Sequence, residues 1–219
     1  MNSVDFTFQT ATLTALPSGA LYWAKEATLV VSDLHLGKSE RIARRGGALL
    51  PPYDTLETLT RLDNDIRAKA PKSVICLGDS FDDLAAGAAL DESHRDTIRL
   101  MQAGRRWFWL EGNHDPGPVD LGGTHLAELE IGPLTFRHIA EDGAAPGEVS
   151  GHYHPKARVR HMSRPCFMAD AERLILPAYG CYTGGLDWTT PVLRRLFTDR
   201  AIAYLTGPRV LTVPVPAAA

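Results

Sequence analysis

The chain has 219 residues, of which 44% are hydrophobic and 22% charged, enough for a folded domain with a sizeable core. Its 23 basic and 26 acidic side chains give a net charge of −3, which excludes a broadly positive surface for duplex nucleic acid. Apolar runs such as 27–31 and 74–77 are far shorter than the ~20 residues of a membrane span, so no membrane association is predicted.

The first half of the chain predicts strands alternating with helices. Continuous apolar runs rich in β-branched or aromatic residues are typical of strands buried on both faces, and apolar residues at helical spacing predict helices. The predicted strands are 6–13, 21–23, 27–31, 73–77 and 106–110. The predicted helices are 39–45, 53–69 and 93–103.

The second half predicts a strand-rich region in which loops and turns join short strands. These strands are expected at Leu134–His138, Glu148–Gly151, Leu174–Pro177, Val192–Leu196, Ala201–Leu205 and Val210–Val213. A βαβαβ unit followed by such a region predicts an α/β sandwich of two sheets. We expect one domain over residues 1–213 and a frayed tail over 214–219.

Location is predicted from two features. The chain opens Met-Asn-Ser-Val-Asp-Phe, without the basic and apolar pattern of a secretory signal. Its three cysteines show no disulfide or metal-binding spacing, which is typical of a reducing compartment. We therefore expect a cytoplasmic protein.

Polar residues follow five of the predicted strands at the point where each strand ends. They are Asp33, His35, Asp79, Asp82, Asn113, His114, Asp115, His138, His152 and His154. Because ligands bind beyond the carboxyl ends of strands in α/β sheets, we expect these side chains at one edge. In an extended segment, residues two apart point to the same side, so Asp33 can share a centre with His35, and His152 with His154.

The types of side chain in this set predict a metal centre. Carboxylates, an amide oxygen and imidazoles suit Mn²⁺, Fe²⁺ or Zn²⁺, and the absence of thiolates argues against a structural zinc. Seven ligands drawn from these ten side chains exceed the needs of one ion, so two ions bridged by a carboxylate are expected. His125 competes with His138 for one position, and His138 is favoured because it directly follows a predicted strand.

These motifs, in this order, resemble the five motifs of the calcineurin-like binuclear metallophosphoesterases. The matching segments are Asp33-x-His35, Gly78-Asp79-x-x-Asp82, Gly112-Asn113-His114-Asp115, His138 and Gly151-His152-x-His154. Segments 32–38, 77–81 and 176–180 further resemble the bacterial PdeM branch, the ligase-associated DNA-damage-response endonucleases. The resemblance implies a four-layer αββα sandwich, in which helices flank two mixed sheets.

The resemblance also implies a set of ligands for two divalent ions, with Mn²⁺ favoured over Fe²⁺ or Zn²⁺. One ion would be bound by Asp33, His35 and His154, and the other by Asn113, His138 and His152, with Asp79 bridging them. A water or hydroxide shared by the ions would attack phosphorus in line.

Three further residues receive catalytic roles from the resemblance. His114 would act as the general acid, and Asp115 would orient it. Asp82 stands where nuclease relatives often have a histidine. A carboxylate cannot supply positive charge there, so Asp82 is expected to support a metal ligand instead.

Basic residues flank the predicted site in two groups, 38–45 and 156–164. They are either solvated surface or contacts to phosphates on both sides of the scissile bond. The substrate-binding candidates are Lys38, Arg41, Arg158 and Arg160. Three nearby tyrosines, at 153, 179 and 182, either pack in the core or stack on unpaired bases.

The hypothesis that unites these features is a two-metal phosphodiesterase acting as a DNA endonuclease in repair, with a preference for single-stranded DNA. The resemblance implies a functional association with an ATP-dependent DNA ligase and a helicase. A small-molecule phosphodiesterase or phosphatase acting on nucleotides or cyclic nucleotides is the alternative, because related folds host both. An inactive metal-bearing scaffold is the minor alternative, and the presence of His114 disfavours it.

Overall fold

A computed structural model gives the structure of residues 2–44, 46, 53–117, 120–159, 161–198 and 200–216. Two mixed β-sheets pack face to face, with helices on their outer faces. This is the predicted α/β sandwich. Within the part of the chain described, no helix has both the length and the apolar character needed to cross a membrane.

The first sheet contains seven strands whose order in the sheet is their order in the chain. They are β1 (Val4–Phe8), β2 (Ala11–Ala15), β3 (Leu21–Trp23), β4 (Thr28–Val31), β5 (Ser73–Cys76), β6 (Arg106–Leu110) and β7 (Thr124–Leu126). Strands β1 to β4 pair antiparallel, whereas β4 to β7 pair parallel. The parallel strands therefore deliver the loops that follow β4, β5 and β6 to the same edge.

The second sheet contains eight strands from the second half of the chain. They are β8 (Glu128–Ile131), β9 (Leu134–Arg137), β10 (Glu148–Ser150), β11 (Lys156–Val159), β12 (Met162–Ala169), β13 (Arg173–Ile175), β14 (Ile202–Leu205) and β15 (Leu211–Pro214). The order is β15-β14-β12-β13-β10-β9-β8, and β11 pairs only with β12. Strands β9, β10 and β13 are parallel, so the ends of β9 and β10 also share an edge.

Five helices are described. They are α1 (Lys38–Arg44), α2 (Asp54–Lys69), α3 (Leu84–Ala88), α4 (Glu92–Gln102) and α5 (Pro191–Arg194). The buried faces of α2 and α4 pack with Leu29, Val31 and Val74 on the outer face of the first sheet. The outer face of the second sheet is covered by Leu193 of α5 and by neighbouring loops, so its helical layer is thin.

A third apolar layer lies between the two sheets. Leu13 and Val30 of the first sheet meet Phe136, Phe167 and Leu174 of the second in one buried cluster. Each of these side chains is at most 1% exposed. Burial of this much apolar surface holds the two sheets together and brings their strand ends side by side.

Several predictions of local structure were wrong. Residues 192–196, predicted as a strand, begin inside helix α5, because Thr190 in extended conformation and Pro191 at the first helical position favour a helix start. The predicted strand 6–13 is divided into β1 and β2 by a turn at the left-handed residue Gln9. Helix α3 and the strands β7, β8, β11 and β12 were not predicted; in β11 and β12, polar residues such as Lys156, Arg158 and Ser163 interrupt the apolar run that marks a buried strand. At the carboxyl end, Pro214 belongs to β15, and the Val215 N–H donates to the Ala201 carbonyl (2.9 Å), so the sheet holds the first two residues of the expected tail.

Replacement of Leu174 by Ala tests the inter-sheet core. Leu174 is fully buried, so we expect Leu174→Ala to lower the free energy of unfolding by about 2–5 kcal/mol. Urea denaturation followed by circular dichroism measures this change. The matched control is Ile202→Ala, whose side chain is 37% exposed and should cost about 1 kcal/mol or less. Equal losses in the two variants would contradict the assignment of the core.

Candidate metal centre

The polar residues singled out in the sequence lie together where strand ends of both sheets meet. Asp33 follows β4, Asp79 follows β5, Asn113 follows β6, His138 follows β9 and His152 follows β10. Backbone hydrogen bonds join these loops. The Asp33 N–H donates to the Gly78 carbonyl (3.2 Å), and the Gly151 N–H donates to the His138 carbonyl (3.0 Å). The predicted convergence at one edge is therefore what the fold produces.

The backbone of this site is unusual, because many of its side chains stand on left-handed residues. Asp33, His35, Asp79, His152 and His154 have φ angles of 53°, 46°, 47°, 68° and 46°. Such angles are uncommon outside glycine and cost roughly 1–3 kcal/mol each. Strain of this kind persists only where the surrounding structure imposes it, and it aims successive side chains in directions that a strand does not allow.

Two glycines permit the close approach of these loops. A Cβ atom on Gly112 would overlap the backbone nitrogen and the carboxylate of Asp79. One on Gly151 would overlap the hydroxyl of Ser32 and lie 2.6 Å from the Asp33 carboxylate. Both positions therefore require glycine for steric reasons.

One cluster of ligand atoms consists of Asp33, His35 and His154. The Nε2 atom of His154 lies 3.0 Å from Oδ1 of Asp33 and 3.4 Å from Nε2 of His35. Burial alone would raise the pKa of Asp33, but the hydrogen bond and charge of His154 lower it overall. Two imidazole nitrogens that face each other beside a buried carboxylate form a site suited to a divalent cation.

A second cluster consists of Asp79, His138 and His152. His138 donates from Nδ1 to the Leu77 carbonyl (2.7 Å), which leaves Nε2 unprotonated in the neutral ring and 3.4 Å from Oδ2 of Asp79. Although burial opposes ionisation, the hydrogen bond and charge of His138 lower the pKa of Asp79 to about 2. The Asn113 side-chain oxygen lies 3.1 Å from the same Nε2 atom.

The two clusters adjoin each other at Asp79. A third set of nearby ligand atoms, from His35, Asp79 and His114, connects them, and the atoms within each set lie within 4.8 Å of one another. All seven predicted metal ligands are thus brought together, and their carboxylate and imidazole donors suit divalent metals. His152 and His154 belong to different clusters, which is the division that the resemblance implies, whereas extended geometry alone also allowed one shared centre.

His114 lies between the clusters with one nitrogen held by the backbone. Its Nδ1 atom lies 2.9 Å from the Asp82 carbonyl, which can only accept, so Nδ1 carries the proton. Its Nε2 atom points toward the site, 3.9 Å from Oδ2 of Asp79, and its side chain is 31% exposed. Its backbone N–H also donates to Oδ1 of Asp79 (2.8 Å).

The contacts of Asp115 differ from the predicted ones. Its carboxylate accepts hydrogen bonds from the backbone N–H groups of Asp79, Ser80, Phe81 and Gly112, at 2.8 to 3.1 Å. Asp115 therefore braces the loop that carries Asp79, and the carbonyl of Asp82 takes the place of the expected orienting carboxylate at His114. Burial raises the pKa of Asp115 to about 6, against the opposing effect of these hydrogen bonds.

The Asp82 side chain contacts a candidate metal ligand. Its Oδ1 atom lies 2.9 Å from Nδ1 of His35, and its side chain is 1% exposed. Lys38 and Arg41 approach the same carboxylate at 3.8 and 2.5 Å. Burial opposes ionisation of Asp82, but its contact with His35 and the charges of Lys38 and Arg41 lower its pKa overall.

The remaining candidates for substrate contact are placed unevenly. Lys38 and Arg41 are both about one-fifth exposed beside Asp82, and Arg158 is exposed on β11. Arg160 lies outside the described residues, as do Arg45 and the side chain of Arg44 in the first basic group.

The three tyrosines near the site have different surroundings. Tyr179 is fully buried and donates to Asp65 (2.8 Å), so it packs in the core. Tyr153 stands edge-on against the His152 ring, with a centroid distance of 5.0 Å. Tyr182 is 44% exposed.

Sequence reasoning missed two groups that position the ligands. Ser32 is buried, and its hydroxyl donates to the Asp33 carboxylate (2.5 Å). The Leu77 carbonyl fixes the His138 ring. Ser32 was marked only by its place at a strand end, and a backbone carbonyl leaves no trace in the residue type.

A protein family and a solved structure are similar to this chain. The family model described as calcineurin-like phosphoesterase matches residues 27–199. The crystal structure of Pseudomonas putida nuclease MPE is similar to this chain, with a TM-score of 0.77 and 27% sequence identity. The match covers 97% of this chain and 100% of that one. No curated protein matches the sequence.

Replacement of Asp115 tests its role as a brace. We expect Asp115→Ala to lower the free energy of unfolding by more than about 2 kcal/mol, since buried N–H groups lose their acceptor. Urea denaturation measures the change. Asp96→Ala is the control, because Asp96 is 61% exposed and pairs with Arg99 on the surface of α4. If both variants are equally stable, Asp115 is not a brace.

Replacement of Asp82 tests the support of His35. Asp82→Ala removes the partner of Nδ1 on His35 and should weaken Mn²⁺ binding about 10- to 100-fold. Calorimetric titration of the metal-free protein measures the affinity. Asp82→Asn, which retains an acceptor oxygen, should lose less. Unchanged affinity in Asp82→Ala would show that His35 needs no support from this carboxylate.

Proposed function

Because the chain belongs to the calcineurin-like phosphoesterase family, we propose that it is a two-metal phosphodiesterase that cleaves single-stranded DNA at internal positions. The observation that carries this proposal is the pair of adjoining Asp/His clusters with His114 between them. The similarity to a nuclease along almost the whole chain supports DNA as the substrate.

In this proposal, each cluster holds one divalent ion. Asp33, His35 and His154 would hold one ion and Asn113, His138 and His152 the other, with Asp79 between them. When bound, such ions supply charge that stabilises a phosphoryl oxygen and make water a stronger nucleophile at neutral pH. We favour Mn²⁺, with Fe²⁺ and Zn²⁺ as alternatives, because all three accept this donor set.

His114 is the proposed general acid. The Asp82 carbonyl keeps a proton on Nδ1, so protonation of the ring places a second proton on Nε2, which points into the site. That proton can pass to the leaving oxygen of the DNA strand as the phosphorus–oxygen bond breaks. Asp115 contributes indirectly, because it holds the loop that positions Asp79.

Accessibility of the site favours a flexible strand. Asp33, His35 and Asp79 are at most 4% exposed, so a phosphate must enter a recess to reach the proposed ions. Duplex DNA is stiff, with a persistence length of roughly 50 nm, whereas a single strand bends into a recess at low cost. Lys38, Arg41 and Arg158 can contact neighbouring phosphates, while the net charge of −3 limits other electrostatic attraction.

The proposed setting is DNA repair in the cytoplasm, in functional association with an ATP-dependent DNA ligase and a helicase. The similarity of segments 32–38, 77–81 and 176–180 to the PdeM branch supports this setting. The three cysteines are present as free thiols, which agrees with a reducing compartment.

A small-molecule phosphodiesterase or phosphatase is the second candidate. One observation favours it: Lys38 and Arg41 both approach Asp82, which compensates part of their charge. This alternative predicts hydrolysis of nucleotides or cyclic nucleotides that persists when the basic residues are neutralised.

Circular single-stranded DNA separates the two functions. Metal-free protein is given Mn²⁺, Mg²⁺ or Zn²⁺ singly and then offered this DNA, a phosphomonoester or a cyclic nucleotide. We expect Mn²⁺ to support cleavage of the circle, which has no ends and so reports an endonuclease. Hydrolysis of the small substrates alone would overturn the assignment of DNA.

Replacement of His114 tests the acid. His114→Ala should lower kcat on single-stranded DNA about 10²- to 10⁴-fold, while Mn²⁺ binding stays intact. Steady-state kinetics and calorimetric titration measure the two effects, and His94→Ala on α4 is the histidine control. A parallel loss of metal binding would make His114 a ligand, and an unchanged kcat would remove it from the mechanism.

A further inference from the structure

An open groove of about 350 Å³ runs from the second cluster along the neighbouring loops. Its lining includes Asn113 and His138 of the candidate metal centre, together with Pro116, Ala127 and Ile139. Its volume falls within the range of roughly 300–1,000 Å³ that small-molecule pockets occupy. Since two of its residues also belong to the proposed metal centre, a group bound in the groove would lie next to the scissile phosphate.

Part of the groove is apolar. The Ile139 side chain is 41% exposed directly after the candidate ligand His138, and Ala127 and Pro116 are also exposed. An exposed branched side chain beside a catalytic centre offers a contact surface to a flat ring. Burial of such surface on binding is favourable.

The charges that line the groove are predominantly negative. Glu111, Glu128 and Glu141 all line it and are exposed to solvent. Arg137, the cation of the lining, contacts Glu128 and Glu141 and lies 3.7 Å from Glu148. Several carboxylates share this one arginine, so the lining keeps an excess of negative charge that disfavours a phosphate in the groove.

We propose that this groove binds the unpaired base of the nucleotide adjacent to the scissile phosphate. An uncharged aromatic ring can pack on Ile139 and Ala127, and an amino group on its edge can donate to the carboxylate of Glu111. The sugar–phosphate chain is directed away from the groove by the carboxylates of the lining. A paired base cannot enter, so the groove gives the enzyme a physical reason to prefer single strands. This inference rests on the proposed cleavage of DNA.

A single missing base tests the proposal. The substrate is an end-labelled oligodeoxycytidylate of about 20 nucleotides in which one nucleotide is replaced by an abasic analogue, so all other phosphates serve as internal references. We expect cleavage to fall at least tenfold at the one phosphate whose neighbouring base would occupy the groove. Uniform cleavage across the abasic position would overturn the proposal.

A variant that fills the groove provides the second arm. Ala127→Trp should lower kcat/KM on the unmodified oligonucleotide at least tenfold and should abolish the local effect of the abasic nucleotide. Ala145→Trp is the matched control, because Ala145 is also exposed in a cavity, one that adjoins the opening residue of β10. An abasic effect that survives in Ala127→Trp would place the base elsewhere and overturn the proposal.

Binding of deoxycytidine gives a readout without cleavage. Saturation-transfer NMR on the folded protein should detect the cytosine protons with the wild type and with Ala145→Trp, and should lose them with Ala127→Trp. Equal signals from all three proteins would contradict the proposal. Failure of the wild type to cut any single-stranded DNA would refute the proposed function itself, which is a distinguishable result.

Discussion

The site depends on the contacts that the Asp79 carboxylate makes with residues of both sheets. It lies 3.4 Å from the His138 ring, accepts the backbone N–H of His114 and belongs to two of the three ligand sets. Its own loop is held by Asp115 through backbone hydrogen bonds. One buried anion thus fixes the distance between the loops of the first sheet and the loop after β9 of the second. The geometry of the second cluster follows from that distance.

Such an arrangement is costly, and the rest of the fold supplies the stability that it needs. Carboxylates such as Asp33 and Asp79 are buried and stand on left-handed backbone, which disfavours folding unless other terms offset it. The apolar layer between the sheets, which includes Phe136 and Leu174, supplies the compensating burial. The buried carboxylates concentrate negative charge in the site, which is therefore suited to bind a divalent cation.

Positive and negative side chains are distributed unevenly around this site. On one side, the cations Lys38 and Arg41 gather at Asp82, which also supports His35. On the other side, the groove is lined by carboxylates such as Glu111 and by apolar surface such as Ile139. In the proposed function, the first group of side chains would contact phosphates and the groove would hold an uncharged ring.

The sequence by itself determined the identity of the site, because strand-end motifs such as Asp33-x-His35 and Gly112-Asn113-His114-Asp115 combine chemistry with position. It also determined the two-sheet fold, since buried strands are marked by continuous apolar runs. The tertiary structure decided the roles of individual groups. Asp115 braces a loop while the Asp82 carbonyl holds His114, because left-handed backbone and contacts between distant loops set these relations. Left-handed backbone and contacts between distant loops produce no periodic pattern in a linear sequence, since local patterns report only a residue's near neighbours along the chain.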